Sequence, residues 1–440
     1  MKKDFALILC FLLASCKSPE KVKDFEDDFE QYFAGFASEI IEVPEDEKLY
    51  IAGYHQAEEI QGILDYQKAS AITINNNIFI SIDCIGISAE TTAKIRNKLS
   101  DVSANVNVFS THDHAGIDTL GLWGGVGVDG KNDKFMKNLV DAAVLAGKNS
   151  FNNQKKSSLY FGYADTEDLQ EDSRDPIVFD KNVYQFRFER ENSSGVRLIN
   201  YAAHAESLRG SNYQISADYV GKMRDIIKER TNDDVVFIQG AIGGLIMTKE
   251  LVDPFNPVAN MNLTGERLAN YVLSINNEEL VDTKIRMRSK NFEVDLDNTA
   301  FMLYQFLGIL QKEFIKGDTE TGYKMVTEAS LLEFGDILIY VIPGEIFPEL
   351  VYGGYLVDDI QPLKDLAAEY GFSKVLVFGL ANDEIGYIIP KNDFVINEKA
   401  PYILPLQNVE GENHYEETNS ASKNAAKSIY NVFKELLEHE

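Results

Sequence analysis

Asn105-Val106-Asn107-Val108-Phe109-Ser110-Thr111-His112-Asp113-His114-Ala115-Gly116 is a β-type run that delivers two histidines and then breaks into a glycine-bearing loop. Side chains two apart on a strand share a face, so His112 and His114 are expected to point at one spot, with Asp113 turned away or held behind them. The chain has six histidines (His55, His112, His114, His204, His414, His439). Two of them this close at a strand end read as a metal or proton-transfer site. The competing reading is a polar pair that closes a loop.

Working outward, strand-like and helical runs alternate. Ala71–Ile74 and Ile78–Ile82 flank Asn75-Asn76-Asn77, a hairpin signal. Helical spacing covers Glu90–Leu99, Asn132–Leu145, Asp218–Arg230 and Ser420–Leu437. Further strands are expected at Val196–Ala202, Val235–Ile238, Ile337–Ile342 and Val375–Phe378. This order predicts an α/β fold with a mixed central sheet and flanking helices. Several strands end in polar or glycine-rich loops, and in open α/β sheets the ligand site collects at strand ends. No internal repeat or linker divides the chain after Leu49.

Three further strand-end residues could share a site with His112 and His114. His204 closes Asn200-Tyr201-Ala202-Ala203-His204, Glu345 follows Pro343-Gly344, and Tyr387 closes Ala381-Asn382-Asp383-Glu384-Ile385-Gly386-Tyr387. Zinc takes a few nitrogen and oxygen ligands with one position left for water, which two histidines and a carboxylate supply. Each residue also has a plain structural use. His204 can be a hydrogen-bonded core histidine, Glu345 can cap a helix, and Tyr387 can be ordinary core.

Composition sets the surroundings. Met1-Lys2-Lys3 is basic, Phe5–Ala14 is apolar but too short to span a bilayer, and Leu13-Ala14-Ser15-Cys16 matches a lipoprotein cleavage box. Residues 1–15 are therefore read as a signal peptide, 16–45 as a charged tether lipidated at Cys16, and 46–440 as one catalytic unit. The reading places the protein on a bacterial membrane, on its periplasmic side or at the cell surface. Of three cysteines, Cys84 alone remains in the mature core, so no internal disulfide is expected. A net charge of −28 argues against a nucleic-acid partner.

The chain resembles the neutral/alkaline ceramidase family, zinc amidases that split N-acyl sphingosines. Ile51-Ala52-Gly53-Tyr54 and Gly62-Ile63-Leu64-Asp65 resemble its Ala-Gly-Tyr and Gly-Ile-His-Asp segments. Thr111-His112-Asp113-His114-Ala115-Gly116 resembles its Thr-His-Thr-His-Ser-Gly, and Asn200–Ser207 its strand ending in His-x-Thr-Ser. Ser216-Ala217-Asp218, Pro343-Gly344-Glu345, Ala381–Tyr387 and Tyr415–Ser420 resemble its later motifs, in the same order. The resemblance implies zinc held by His112, His204, Glu345 and Tyr387. It implies that His114 is the proton carrier, Tyr415 the donor to the developing oxyanion, and an N-acylated lipid the substrate.

The chain also departs from the family. Gln239-Gly240-Ala241-Ile242-Gly243-Gly244 lacks the family's acidic residue, and the substrate-holding Asn-x-Asn-Arg-Ser stretch is absent. Arg174, in Ser173-Arg174-Asp175-Pro176, is a loose substitute for its arginine, with a surface salt bridge as the competing reading. The reading covers the catalytic region alone, without the family's C-terminal β-sandwich. Two other readings stay open. A metallo-β-lactamase-like hydrolase shares Thr-His-x-His, but Ala115-Gly116-Ile117-Asp118 supplies no further histidine. A surface lipoprotein with a ceramidase-like fold could bind a ligand or metal without turnover.

Overall fold

Strands covered on both faces are mostly apolar on both, and Val235–Ile238 and Val375–Phe378 are wholly so. A computed structural model describes residues 21–28, 30–252, 255–354, 357, 360–407 and 413–439. The expected signal peptide and Cys16 lie outside them. Among the described residues a nine-stranded sheet runs in the order Asp234–Gln239, Val196–Tyr201, Asn182–Arg190, Lys155–Asp165, Tyr32–Ile40, Lys68–Ile74, Asn77–Ile82 and Asn105–Ser110, with Glu279–Leu280 beside Lys155–Asp165. A six-stranded sheet runs Lys23–Asp28, Lys284–Leu296, Tyr323–Phe334, Ile337–Val341 and Lys374–Phe378, with Phe314–Lys316 beside Tyr323–Phe334. Both are mixed: Asn77–Ile82 with Asn105–Ser110, Val196–Tyr201 with Asp234–Gln239, and Ile337–Val341 with Lys374–Phe378 pair parallel.

The sheets pack face to face. Ile72, Phe79, Phe109, Phe186 and Ile238 of the first share one core with Phe334, Ile339, Val341 and Phe378 of the second. The alternate residues Ala71, Ile78, Ile80 and Val108 turn to the outer face. There they meet Ile95 and Leu99 of helix Ala89–Leu99 and Phe135 and Leu139 of helix Asp133–Asn152. Helices Asp218–Thr231 and Pro257–Ser274 cover the other half of that face, and Ala425–Glu438 covers the second sheet. The result is four layers, helix–sheet–sheet–helix. The expected hairpin is present, with Ile74 opposite Asn77 and Asn75 at φ 53°. Among the described residues no helix is long and apolar enough to cross a membrane.

One segment needs correcting. The tether expected over 16–45 contains two strands, Lys23–Asp28 and Tyr32–Ile40. Lys23–Asp28 edges the second sheet, and Tyr32–Ile40 lies inside the first, between Lys68–Ile74 and Lys155–Asp165. Its charges have distant partners: Glu26 meets Lys284 at 2.6 Å and Asp24 meets Arg286 at 2.8 Å. Tyr32 is buried, its ring set edge-on to Phe188 and its hydroxyl bonded to the Asp282 carbonyl.

A buried acid gives the fold a pH signature. Glu349 opens the short helix Glu349–Tyr352, is 2% exposed, and has one carboxyl oxygen with no partner. Burial pushes its carboxyl up to about 8, with Asp172 and Asp393 adding to the shift. The folded chain therefore holds a proton that the unfolded chain releases near 4.5. Stability falls as pH rises through that window and the loss is complete above it. Glu349→Gln is expected to match the parent near the bottom of the window and to exceed it near the top by on the order of a few kcal/mol. Thermal melts of both proteins across the window check this, and equal pH slopes would refute it.

Candidate metal centre

The parallel strands of both sheets finish at one edge, and the loops leaving them interlock. Phe109 bridges to Ala381, and the Asn382 side chain accepts from Val108 N at 2.9 Å and donates to Asn107 Oδ1 at 3.0 Å. Gly240 packs on Ala202, and a Cβ on Gly243 would fall 2.6 Å from the Phe347 nitrogen. The glycine-rich turn thus lets the two sheets' backbones touch.

His112 and His114 do meet, but not as strand neighbours. The strand stops at Ser110, and His112 takes a left-handed backbone with φ 57°. The segment threads between two others: Asp113 N donates to Cys84 O, and His114 N to Ala205 O, each at 3.0 Å. Gln239 Nε2 donates to Thr111 O at 2.8 Å and Ala203 O at 2.7 Å, tying together the residues before His112 and His204. Asp113 faces away, accepting from Ala115 N and from Gln67.

His112, His114 and His204 bring one ring nitrogen each to within 4.8 Å of one another, close enough to hold a metal ion. His112 Nδ1 lies 2.7 Å from Ile85 O and His204 Nδ1 2.8 Å from Ile246 O. A backbone carbonyl needs a donor, so in both rings the Nδ1 carries the proton and the Nε2 lone pair faces inward. Glu345 Oε2 sits 3.4 Å from His112 Nε2 and 3.2 Å from His204 Nε2. Two neutral imidazole nitrogens and a carboxylate oxygen converging in a buried spot fit a divalent cation such as zinc. Both nitrogens of His114 are buried without a hydrogen-bond partner.

Electrostatics follows from burial. It holds His112 well below the usual histidine range and His114 at about 4. For His204 burial is the largest single influence and lowers it, but the hydrogen bond and charge of Glu345, with Glu206 and the Ile246 carbonyl, together outweigh it and raise it. Glu206, a residue the sequence reading passed over, lies 3.9 Å from His114 Nδ1. It accepts from the Tyr54 hydroxyl at 2.8 Å and meets Arg209 at 3.4 Å. Tyr54 also packs its ring against His114, and a Cβ on Gly53 would fall 2.5 Å from His114 Nδ1. An acid two residues beyond a loop histidine was the available signal for Glu206.

A cavity of about 340 Å³ opens over the cluster. His112, His114, Glu345, Tyr387 and Tyr415 line its inner end, and Leu120, Leu122, Trp123, Phe301, Ile309 and Leu310 form an apolar wall. Tyr387 pairs backbone to backbone with Glu345, and its ring meets Tyr415 edge to face at 6.3 Å. Burial first, and then nearby carboxylates, push both phenols up. Arg174 takes another place. Its guanidinium grips Glu416 at 2.5 and 3.1 Å, outside the cavity lining, because Glu416 offers a buried carboxylate beside Tyr415. It fastens the turn that carries Tyr415.

The motifs quoted from the sequence are neighbours in space. Gly62–Ile63 pairs with Gln214–Ile215, and Asp65 accepts from Ser216 Oγ at 2.5 Å and Ala217 N at 2.8 Å. Superposed on solved structures, the chain aligns with neutral ceramidase from Pseudomonas aeruginosa over 93% of its own length and 74% of that chain, at TM-score 0.72 and 15% identity. The fold is that of neutral ceramidase. A ceramidase complexed with C2 aligns over 92% of this chain and 75% of the other, at TM-score 0.71 and 16% identity. No family model and no curated protein matches the chain. The ceramidase-like α/β architecture expected from the ordered motifs is the one observed, and its strand-end loops carry the histidines.

Proposed function

We propose that this protein is a zinc-dependent amidohydrolase that cleaves the N-acyl amide of a ceramide-like or other acylated lipid. One observation carries the reading: in a ceramidase fold, two inward-facing imidazoles and Glu345 converge at the inner end of a cavity with an apolar wall. His112, His204 and Glu345 would hold the ion, with Tyr387 alongside. When bound, zinc supplies an acidified water and polarises an amide carbonyl. The apolar wall takes the acyl chain and excludes water. Tyr415 keeps its proton and offers an O–H donor where carbonyl oxygen would gather charge. His114, free at both nitrogens and braced by Tyr54 and Gly53, carries the proton to the leaving amine. The same reading puts the protein on a membrane through lipid at Cys16.

Incubation of the zinc-loaded protein with N-acyl sphingoid bases, fatty-acyl amino acids and simple acyl amides tests it. Fatty acid is expected from at least one class, with loss on chelation and recovery on adding zinc. A metal-loaded, folded protein that turns over none of them would leave a binding protein instead.

A further inference from the structure

The mechanism above leaves one buried acid of the cavity unused. Glu384 lines the cavity and is 8% exposed. Its Oε1 accepts from Gly386 N at 2.9 Å, and its Oε2 is buried with no hydrogen-bond partner. The cation expected to answer it is already engaged: Lys312 Nζ lies 2.6 Å from Asp383, which also accepts from Ala89 N and Thr327 Oγ1, each at 2.9 Å. Room for Glu384 comes from Gly86, where a Cβ would fall 3.2 Å from Glu384 Cγ and 2.9 Å from Leu120 Cδ1. Its position along the cavity is set by Gly386, whose N–H holds Glu384 and whose carbonyl accepts from Glu345 N at 3.2 Å. Glu384 therefore lines the same cavity as Glu345 and is tied to it through Gly386.

An unanswered carboxyl oxygen in a buried site costs free energy unless a ligand donor completes it. We propose that Glu384 is a specificity-determining residue whose free oxygen accepts a hydrogen bond from a hydroxyl or amine group on the amine side of the substrate. The inference rests on the reading of the cavity as an N-acyl amide site. It selects amides of amino alcohols and related donor-bearing amines over amides of plain alkylamines. A site with a buried acceptor rejects the ligand that lacks the donor, because the acceptor then stays dry and unpaired.

The test pairs N-dodecanoylethanolamine with N-dodecanoyl-n-propylamine, which differ by a hydroxyl in place of a methyl. Hydrolysis is followed by fatty-acid release. Binding is followed separately by fluorescence of Trp123, the chain's single tryptophan and part of the cavity wall. The parent is expected to favour the ethanolamide by about tenfold to a hundredfold in kcat/KM and in affinity. Glu384→Ala collapses both ratios to near unity. Glu384→Gln, which keeps a carbonyl acceptor, retains part of each, whereas a purely structural role would weaken both ligands alike. Unchanged ratios in Glu384→Ala, or no binding of either amide, overturn the inference. Selective binding that depends on Glu384 without hydrolysis upholds it and removes the hydrolase reading. Hydrolysis of both amides at equal rates by the parent does the reverse.

Discussion

His204→Ala is expected to release the metal and to lower amide hydrolysis by about a thousandfold or more, a barrier increase of about 4 kcal/mol. The expectation comes from the ring's fixed setting. Ile246 O holds Nδ1 at 2.8 Å, so Nε2 has no use other than the meeting point with Glu345, 3.2 Å away. Alanine deletes one of the two nitrogens that a backbone carbonyl holds in place, leaving His112 and Glu345. His114→Ala is the informative contrast. If His114 carries protons, its loss lowers turnover by about a hundredfold to ten-thousandfold while the metal stays. Metal content by mass spectrometry, read beside turnover, separates the two. His204→Ala protein that keeps stoichiometric zinc would refute the ligand assignment. His114→Ala protein that loses it would make the three imidazoles the holding set.

Deleting residues 21–45 is expected to abolish folding, whereas a chain starting at Lys21 should fold. The shorter chain loses Tyr32–Ile40 from between two strands of the nine-stranded sheet, together with the buried Tyr32 and Ala34 and the ladders to Lys68–Ile74 and Lys155–Asp165. A domain's net stability is about 5–15 kcal/mol, less than an interior strand contributes through burial and hydrogen bonds. Circular dichroism and size exclusion decide it: a cooperative melt for the shorter chain at the longer chain's temperature would refute the prediction.

The second expectation shows where sequence reading failed and why. Lys-Asp-Phe-Glu-Asp-Asp over residues 23–28 looks like a solvated tether because its charges have no local partners. Glu26 and Asp24 find theirs in Lys284 and Arg286, more than 250 positions later, on the strand that this one edges. Pairing at that distance leaves no trace in local composition. Strands such as Val235–Ile238 and Val375–Phe378 were legible because burial on both faces demands continuous apolar runs. The two histidines were found for a reason that does not hold in the structure. Two-residue strand spacing suggested one face, but it is a left-handed turn at His112, gripped by flanking backbone, that brings the rings together. Glu345 and Tyr387 gained weight only from their order among the motifs. Glu384 was invisible among 70 acidic residues, since only its place in the cavity wall separates it from surface charge.

His112, His114 and His204 leave the nine-stranded sheet, while Glu345 leaves the six-stranded one. A cation held by both would be a rivet through the seam between the two halves of the chain. Loading and cohesion would then be one equilibrium, since a ligand that favours the folded state stabilises it by mass action. Scarcity of the ion would then loosen the molecule as well as slow it.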